Sequence, residues 1–182
     1  MDQRNTTFPR IVRFVLLLLF VSPAGFAQVT LLQEFEISDQ FDVLHTDAEF
    51  REVVTVFLGA DRKGTAYTEE WWTALGPALG DLVADGELQI VQFAHLRGVP
   101  FFVRGKVKKA FPDDPSAWVL LDWKGHFSRT YGFQKDSLNV LVFDAKGDLV
   151  LRRAVHDLDQ SILEDMVLSI RAACGQKNGD PS

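Results

Sequence analysis

The segment Asp61-Arg62-Lys63-Gly64-Thr65 follows a β-branched run, Val53-Val54-Thr55-Val56-Phe57-Leu58, and precedes a helical pattern, so it stands where a strand hands over to a helix. The first N–H groups of a helix lack intrahelical partners and carry the positive end of its dipole. Two cations, Arg62 and Lys63, are unfavourable beside that end unless Asp61 or a bound anion offsets them. One reading is therefore an anion or carboxylate site made of Arg62, Lys63, the N–H groups after Gly64 and the Thr65 hydroxyl. The other makes Thr65 the N-cap, with Glu69 and Glu70 favouring the dipole.

Sulfur chemistry has less to work with. The 182 residues hold one cysteine, Cys174, late in the last helical pattern, where the field of the helix opposes thiolate formation. One thiol makes no intrachain bridge, and placed beside a polar C-terminal stretch it leads to the expectation of a Cys174-linked homodimer under oxidising conditions. The four histidines, His45, His95, His126 and His156, keep no metal-ligand spacing, so neither a metal nor another cofactor is expected. Asp113-Asp114 before a proline reads as ordinary turn acids.

The elements that must position these residues follow from periodicity. A helix is expected from Thr65 to Ala84, with Tyr67, Trp71, Leu75, Leu79, Leu82 and Val83 at three- and four-residue spacings. Trp71 and Trp72 stand about 100° apart on it, so one belongs to the core and the other is free for a partner. Leu88 to Ala94 forms a second strand, Phe101 to Ala110 a short basic helix, and Trp118 to Trp123 a third strand. Arg97, Arg104, Lys106, Lys108 and Lys109 make either a solvated face or a patch for an acidic partner or headgroup. Gly125 to Gly132 gives a turn with one helical turn, and Asp144-Ala145-Lys146-Gly147 closes a hairpin between Asn139–Phe143 and Leu149–Arg152. A final helix begins at Asp157, with Gln160 three residues on as a capping box, and buries Leu158, Ile162, Met166, Val167 and Ile170. Strands alternating with helices, then a hairpin and a terminal helix, specify an α/β sandwich around a mixed sheet.

The first residues have three parts of a secretory signal: Arg4, Arg10 and Arg13, the apolar run Phe14 to Val21, and the small-residue exit Gly25-Phe26-Ala27. The expected organisation is a signal peptide at 1–27, one domain at 28–174 and a flexible tail at 175–182, with export to the periplasm or the exterior and no transmembrane anchor after cleavage. Removing residues 1–27, with three basic residues and one acid, takes the net charge from −6 to −8. That acidity argues against nucleic-acid binding, which needs a dense basic footprint.

The element order and the Asp144 to Gly147 hairpin resemble the thioredoxin superfamily, above all its redoxin and peroxiredoxin branch, across roughly Phe35 to Ala173. The resemblance implies a thioredoxin-like three-layer α/β/α sandwich. The stretch Phe57 to Ala66 is similar to the peroxiredoxin strand-to-helix junction, Pro-x-x-x-Thr-x-x-Cys, yet Gly59, Lys63 and Ala66 fall where that pattern has its proline, threonine and cysteine. A Cys-x-x-Cys is absent near Arg62 to Thr65, and Leu138 falls where thioredoxins carry the proline of their docking loop. Gly64-Thr65, Phe102-Val103-Arg104-Gly105, Trp118 and the hairpin resemble the YtfJ-type periplasmic proteins most. The function expected from this is an exported, non-catalytic redoxin-like module of the cell envelope. It would bind an envelope protein or small anionic ligand at the edge formed by Asp61, Arg62, Lys63, Gly64 and Thr65 with Ser137, Leu138 and Asn139. The alternative is a redoxin-class thiol oxidoreductase or peroxidase acting through Cys174 or a partner's thiol.

Overall fold

A computed structural model describes residues 30–177, so the signal segment with its cleavage after Ala27 and the end of the tail lie outside the described residues. The elements run β1 (Glu36–Ser38), β2 (Leu44–Thr46), β3 (Val54–Ala60), α1 (Thr68–Ala84), β4 (Leu88–His95), α2 (Arg104–Lys108), β5 (Val119–Asp122), α3 (His126–Thr130), β6 (Leu138–Phe143), β7 (Leu149–Val155) and α4 (Gln160–Lys177). Five strands form a mixed sheet in the order β5-β4-β3-β6-β7, and β1 with β2 make a separate antiparallel hairpin.

β3 is central because every one of its seven residues is buried, as a β-branched run walled on both faces must be. Its side chains alternate between two cores. Val54, Val56, Leu58 and Ala60 meet Trp71, Leu75 and Leu79 of α1 and Met166 and Ile170 of α4 in a mostly aliphatic layer. Phe57 faces the opposite way, among Phe50, Phe93, Phe127, Tyr131 and Phe143. The N-terminal hairpin and α3 cover that second face, completing the α/β sandwich expected from the element order. Trp71 is fully buried and donates its indole N–H to the carbonyl of His156 at 2.6 Å, whereas Trp72 is 40% exposed.

Two expected helix starts are corrected. The pattern from Thr65 begins as a 3-10 turn, Gly64–Tyr67, before α1 proper, and Thr65 is not its cap: its hydroxyl donates to the carbonyl of Arg62 at 2.8 Å. The last helix starts at Gln160, and Asp159 rather than Asp157 accepts the N–H groups of Ser161 and Ile162 at 2.9 and 3.1 Å.

The expectation of a Cys174-linked homodimer is overturned. Cys174 is 2% exposed, forms no disulfide, and lies in the aliphatic core with its thiol 3.9 Å from the carbonyl of Glu87. The inner stripe of α4 that holds Met166 and Ile170 carries Cys174 inward one turn later, as helical spacing requires. It acts as a small hydrophobe with no surface to offer a second copy.

Candidate functional site

Parallel pairing of β3, β4 and β5 brings their C-terminal ends to one edge of the sheet: Ala60 pairs with Ala94, and His95 with Asp122. β6 runs antiparallel to β3, so its first residue, Leu138, pairs with Ala60 at that same edge. Asp61, His95, Asp122 and the Ser137–Asn139 segment thus converge although they are distant in sequence. Such an edge, just outside the carboxyl ends of parallel strands, is where open α/β sheets bind ligands.

At the junction itself, the chain supplies its own anion. The Asp61 carboxylate accepts the N–H groups of Lys63 and Gly64 at 3.1 and 2.9 Å through one oxygen and that of Asp136 at 3.0 Å through the other. Burial pushes the carboxyl up, but the hydrogen bonds from Gly64, Asp136 and Lys63 outweigh it, with a contribution from the charge of His95, and Asp61 sits below the ordinary aspartate value. It is therefore ionised at neutral pH and offsets the helix field and the two cations beside it. The first N–H groups after Gly64, which the sequence offered to an exogenous anion, donate to the chain itself: that of Thr65 to the Asp61 carbonyl at 3.0 Å and that of Ala66 to the Lys63 carbonyl at 3.2 Å.

Asp61 also ties the junction to the loop before β6. Asp136, in a left-handed conformation at φ 58°, donates its N–H to the Asp61 carboxylate at 3.0 Å and accepts the Lys63 ammonium on its own carboxylate at 3.1 Å. Gly64 presses so closely on this loop that a Cβ there would fall 2.2 Å from the Ser137 carbonyl oxygen. The Asn139 side chain fixes the loop from behind, accepting the Gln134 N–H at 2.7 Å and donating to the Gln134 carbonyl at 2.9 Å. Ser137 shares a hydrogen bond of 3.1 Å with His156 Nε2, and Leu138 is fully buried and so presents no side chain to the edge. Arg62 and Thr65 are exposed on the junction's outer surface.

Beside Asp61 opens a cavity of about 280 Å³, walled by His95 at the end of β4 and Arg97 beyond it, Ser128 and Arg129 of α3, and Gly132 to Lys135. Three permanent cations, Arg97, Arg129 and Lys135, face one carboxylate there, in a protein of net charge −6. His95 Nδ1 is buried without a hydrogen-bond partner. Phe133 forms the apolar wall: its ring lies over Gly59, where a Cβ would come within 2.1 Å, and meets Phe93 at 5.7 Å. The opposite wall rests on Asp122, a buried carboxylate that accepts the N–H groups of His126 and Ser128 and the Ser128 hydroxyl at 2.9–3.1 Å, starting α3. Sequence reasoning placed Asp61 at the site, named His95 only among histidines without metal-ligand spacing, and did not name Arg129 or Lys135. Only the parallel register gathers these, although the charged run after the second strand hinted at Arg97.

A wider open cleft, of about 1040 Å³, lies between the β1–β2 hairpin, α2 and β5. Its charges are mixed and lean acidic, with Glu34, Glu36, Asp42, Asp47 and Asp122 against Arg104, Lys108 and Lys124, so it does not suit an anion. No three His, Cys, Asp or Glu side chains among the described residues are grouped to hold a metal ion. His45 is engaged by Glu49 and Asp39 at 2.8 and 3.4 Å and stacks on Trp118 at 4.3 Å.

The only cysteine stands at the other edge. Glu87, which its thiol approaches, precedes the first residue of β4, while His95 is its last. Eight residues of strand separate the two by about 23 Å at the usual rise.

No protein-family model matches the chain, and no curated protein matches its sequence. Solved structures do resemble it. A Chlorobium tepidum protein assigned as thiol:disulfide interchange protein DsbE superposes with a TM-score of 0.61 at 16% identity, covering 80% of this chain and 96% of its own. The exposed lipoprotein thioredoxin Etrx1 of Streptococcus pneumoniae gives 0.54 at 13% identity over 75% of this chain and 98% of its own. A SCO1/SenC family lipoprotein of Bacillus anthracis gives 0.52 at 12% identity over 79% and 95%. At such identities the likeness extends to architecture, and the architecture is the thioredoxin-like fold.

Proposed function

We propose that this chain is a thioredoxin-like binding module of the cell envelope that performs no thiol chemistry of its own and receives a carboxylate at the cavity beside Asp61. The observation that carries this reading is the exchange of roles between the two edges of the sheet. Where a redox protein of this fold needs a thiolate on the junction's N–H groups, Asp61 fills them; the sole thiol is buried about 23 Å away. Disulfide exchange needs an accessible attacking thiolate and usually a second thiol to resolve the mixed disulfide, and neither is at the edge.

A carboxylate suits the cavity for three reasons. Arg97, Arg129 and Lys135 outnumber Asp61 in charge, Phe133 supplies an apolar wall, and the unpartnered His95 nitrogen leaves a hydrogen-bonding position to fill. Arg62 and Lys63, exposed on the adjoining junction, attract the ligand from solution without touching it. The secretory signal read at residues 1–27, the YtfJ-type resemblance and the two lipoproteins among the similar folds support an envelope location. No helix among the described residues is long and apolar enough to cross a membrane.

Calorimetric titration with succinate tests the site. Binding is expected for the wild type, lost in Arg97→Glu/Arg129→Glu, and weakened only a few-fold, more at low salt, in Arg62→Glu/Lys63→Glu. Binding undiminished by the Arg97/Arg129 reversal would move the site elsewhere.

A further inference from the structure

From Leu96 to Pro112 the chain carries no acidic residue and five basic ones, Arg97, Arg104, Lys106, Lys108 and Lys109, within a protein of net charge −6. In the middle of that stretch, the turn Phe101–Val103 holds out two adjacent phenylalanines that are 79% and 75% exposed, the most exposed of the large apolar side chains described. Their rings touch only edge to face, 5.9 Å apart. The rest of the segment is anchored. Phe111 and Leu96 pack against Ala94, Val119 and Leu121, Arg104 lies 4.9 Å over the Trp123 ring, and Lys108 pairs with Asp42. Lys106 and Lys109, on exposed positions of α2 and just beyond it, have no ion-pair partner among the described residues.

From this arrangement we infer that the Phe101–Lys109 face docks the protein on an anionic phospholipid surface, independently of what occupies the cavity beside Asp61. Protruding rings on an anchored turn suit a soft acyl boundary, which closes around them, better than a preformed protein groove. Flanking cations meet lipid headgroups through charge, and in a molecule of net charge −6 they give this face an attraction to an anionic bilayer that the molecule as a whole lacks. Phe101 and Phe102 then sit at the level where amphipathic segments bury their apolar side, with Lys106 and Lys109 among the phosphates. The contacts of Leu96, Arg104, Lys108 and Phe111 hold the segment in place around the turn that carries the two rings, which lowers the ordering cost of docking.

The test is co-sedimentation of the full chain with phosphatidylcholine vesicles and with vesicles of phosphatidylcholine and phosphatidylglycerol in equal parts. Phe101→Ser/Phe102→Ser and Lys106→Glu/Lys109→Glu are run alongside, each sharing the apolar run at 14–21 with the wild type so that any contribution from it cancels. Expected is binding to the mixed vesicles that falls at least about tenfold in either double variant and falls with added salt. A Phe102→Trp variant, whose fluorescence brominated lipid should quench, reads the insertion of this turn alone. Equal affinity of wild type and Phe101→Ser/Phe102→Ser for the mixed vesicles, absence of binding by both, or no quenching at position 102 would overturn the proposal. So would capture of an acidic peptide by this face without vesicle binding.

Discussion

The two edges of the central sheet carry opposite kinds of residue. At the C-terminal edge of β3 and β4, three polar side chains are engaged by the backbone: Asp61 collects three N–H groups, Asn139 locks the Gln134 loop, and Asp122 starts α3. At the N-terminal edge, Cys174 is one more apolar group among Leu88, Met166 and Ile170. In this thioredoxin-like fold the sole thiol is buried at the N-terminal edge, and a carboxylate, Asp61, takes the junction's N–H groups at the C-terminal edge. The lesson is that the N–H groups at this helix start are free to be satisfied by an aspartate from the preceding strand end, which brings the negative charge that the helix dipole favours.

The contrast breaks most visibly at Gly64, the point of closest approach between junction and loop. Gly64→Val drives side-chain atoms into the Ser137 carbonyl, and thermal or denaturant unfolding should report a loss of about 3 kcal/mol. At the opposite edge, Cys174→Ser places a hydroxyl in the aliphatic core, where the present thiol lies 3.9 Å from the Glu87 carbonyl, and should cost about 1–2 kcal/mol in the same assay. The wild-type thiol should resist iodoacetamide until denaturant is added.

Asp61→Asn sharpens the electrostatic half of the comparison. An amide keeps one acceptor but turns its nitrogen toward a backbone donor, at a cost of about 1 kcal/mol at neutral pH. Because folding lowers the Asp61 pKa, its ionised form stabilises the protein above the unfolded value and that contribution is lost as pH falls through the lower folded value. The gap between wild type and variant should therefore be constant at neutral pH and close only below about pH 4. Reversal of Arg62 and Lys63 should be the mildest change, within about 0.5 kcal/mol in stability, since the Lys63–Asp136 pair is 75% and 56% exposed.

The fold was largely legible because its signals are periodic. A β-branched run gave β3, Asp144 to Gly147 gave the β6–β7 turn, and helical spacing put Trp71 inside. The hairpin of β1 and β2 escaped notice because each strand has three residues, too few for alternation to register. Caps were misjudged for a different reason: at both helix starts several oxygen-bearing side chains lie within a few residues, and only backbone geometry decides between Thr65 and Asp61 or between Asp157 and Asp159. The cavity's walls come from four separate stretches of chain, joined by the register of β3 with β4 and by the loop entering β6, and no local pattern encodes such a meeting.

The exchange of roles between the edges is tested most directly by turnover of a disulfide substrate, insulin reduction by thiol, compared between wild type and Cys174→Ser. The account predicts that both run at the background rate of free cysteine, because the thiol is buried in the core and the junction holds Asp61. Robust turnover by the wild type that disappears in Cys174→Ser would contradict it.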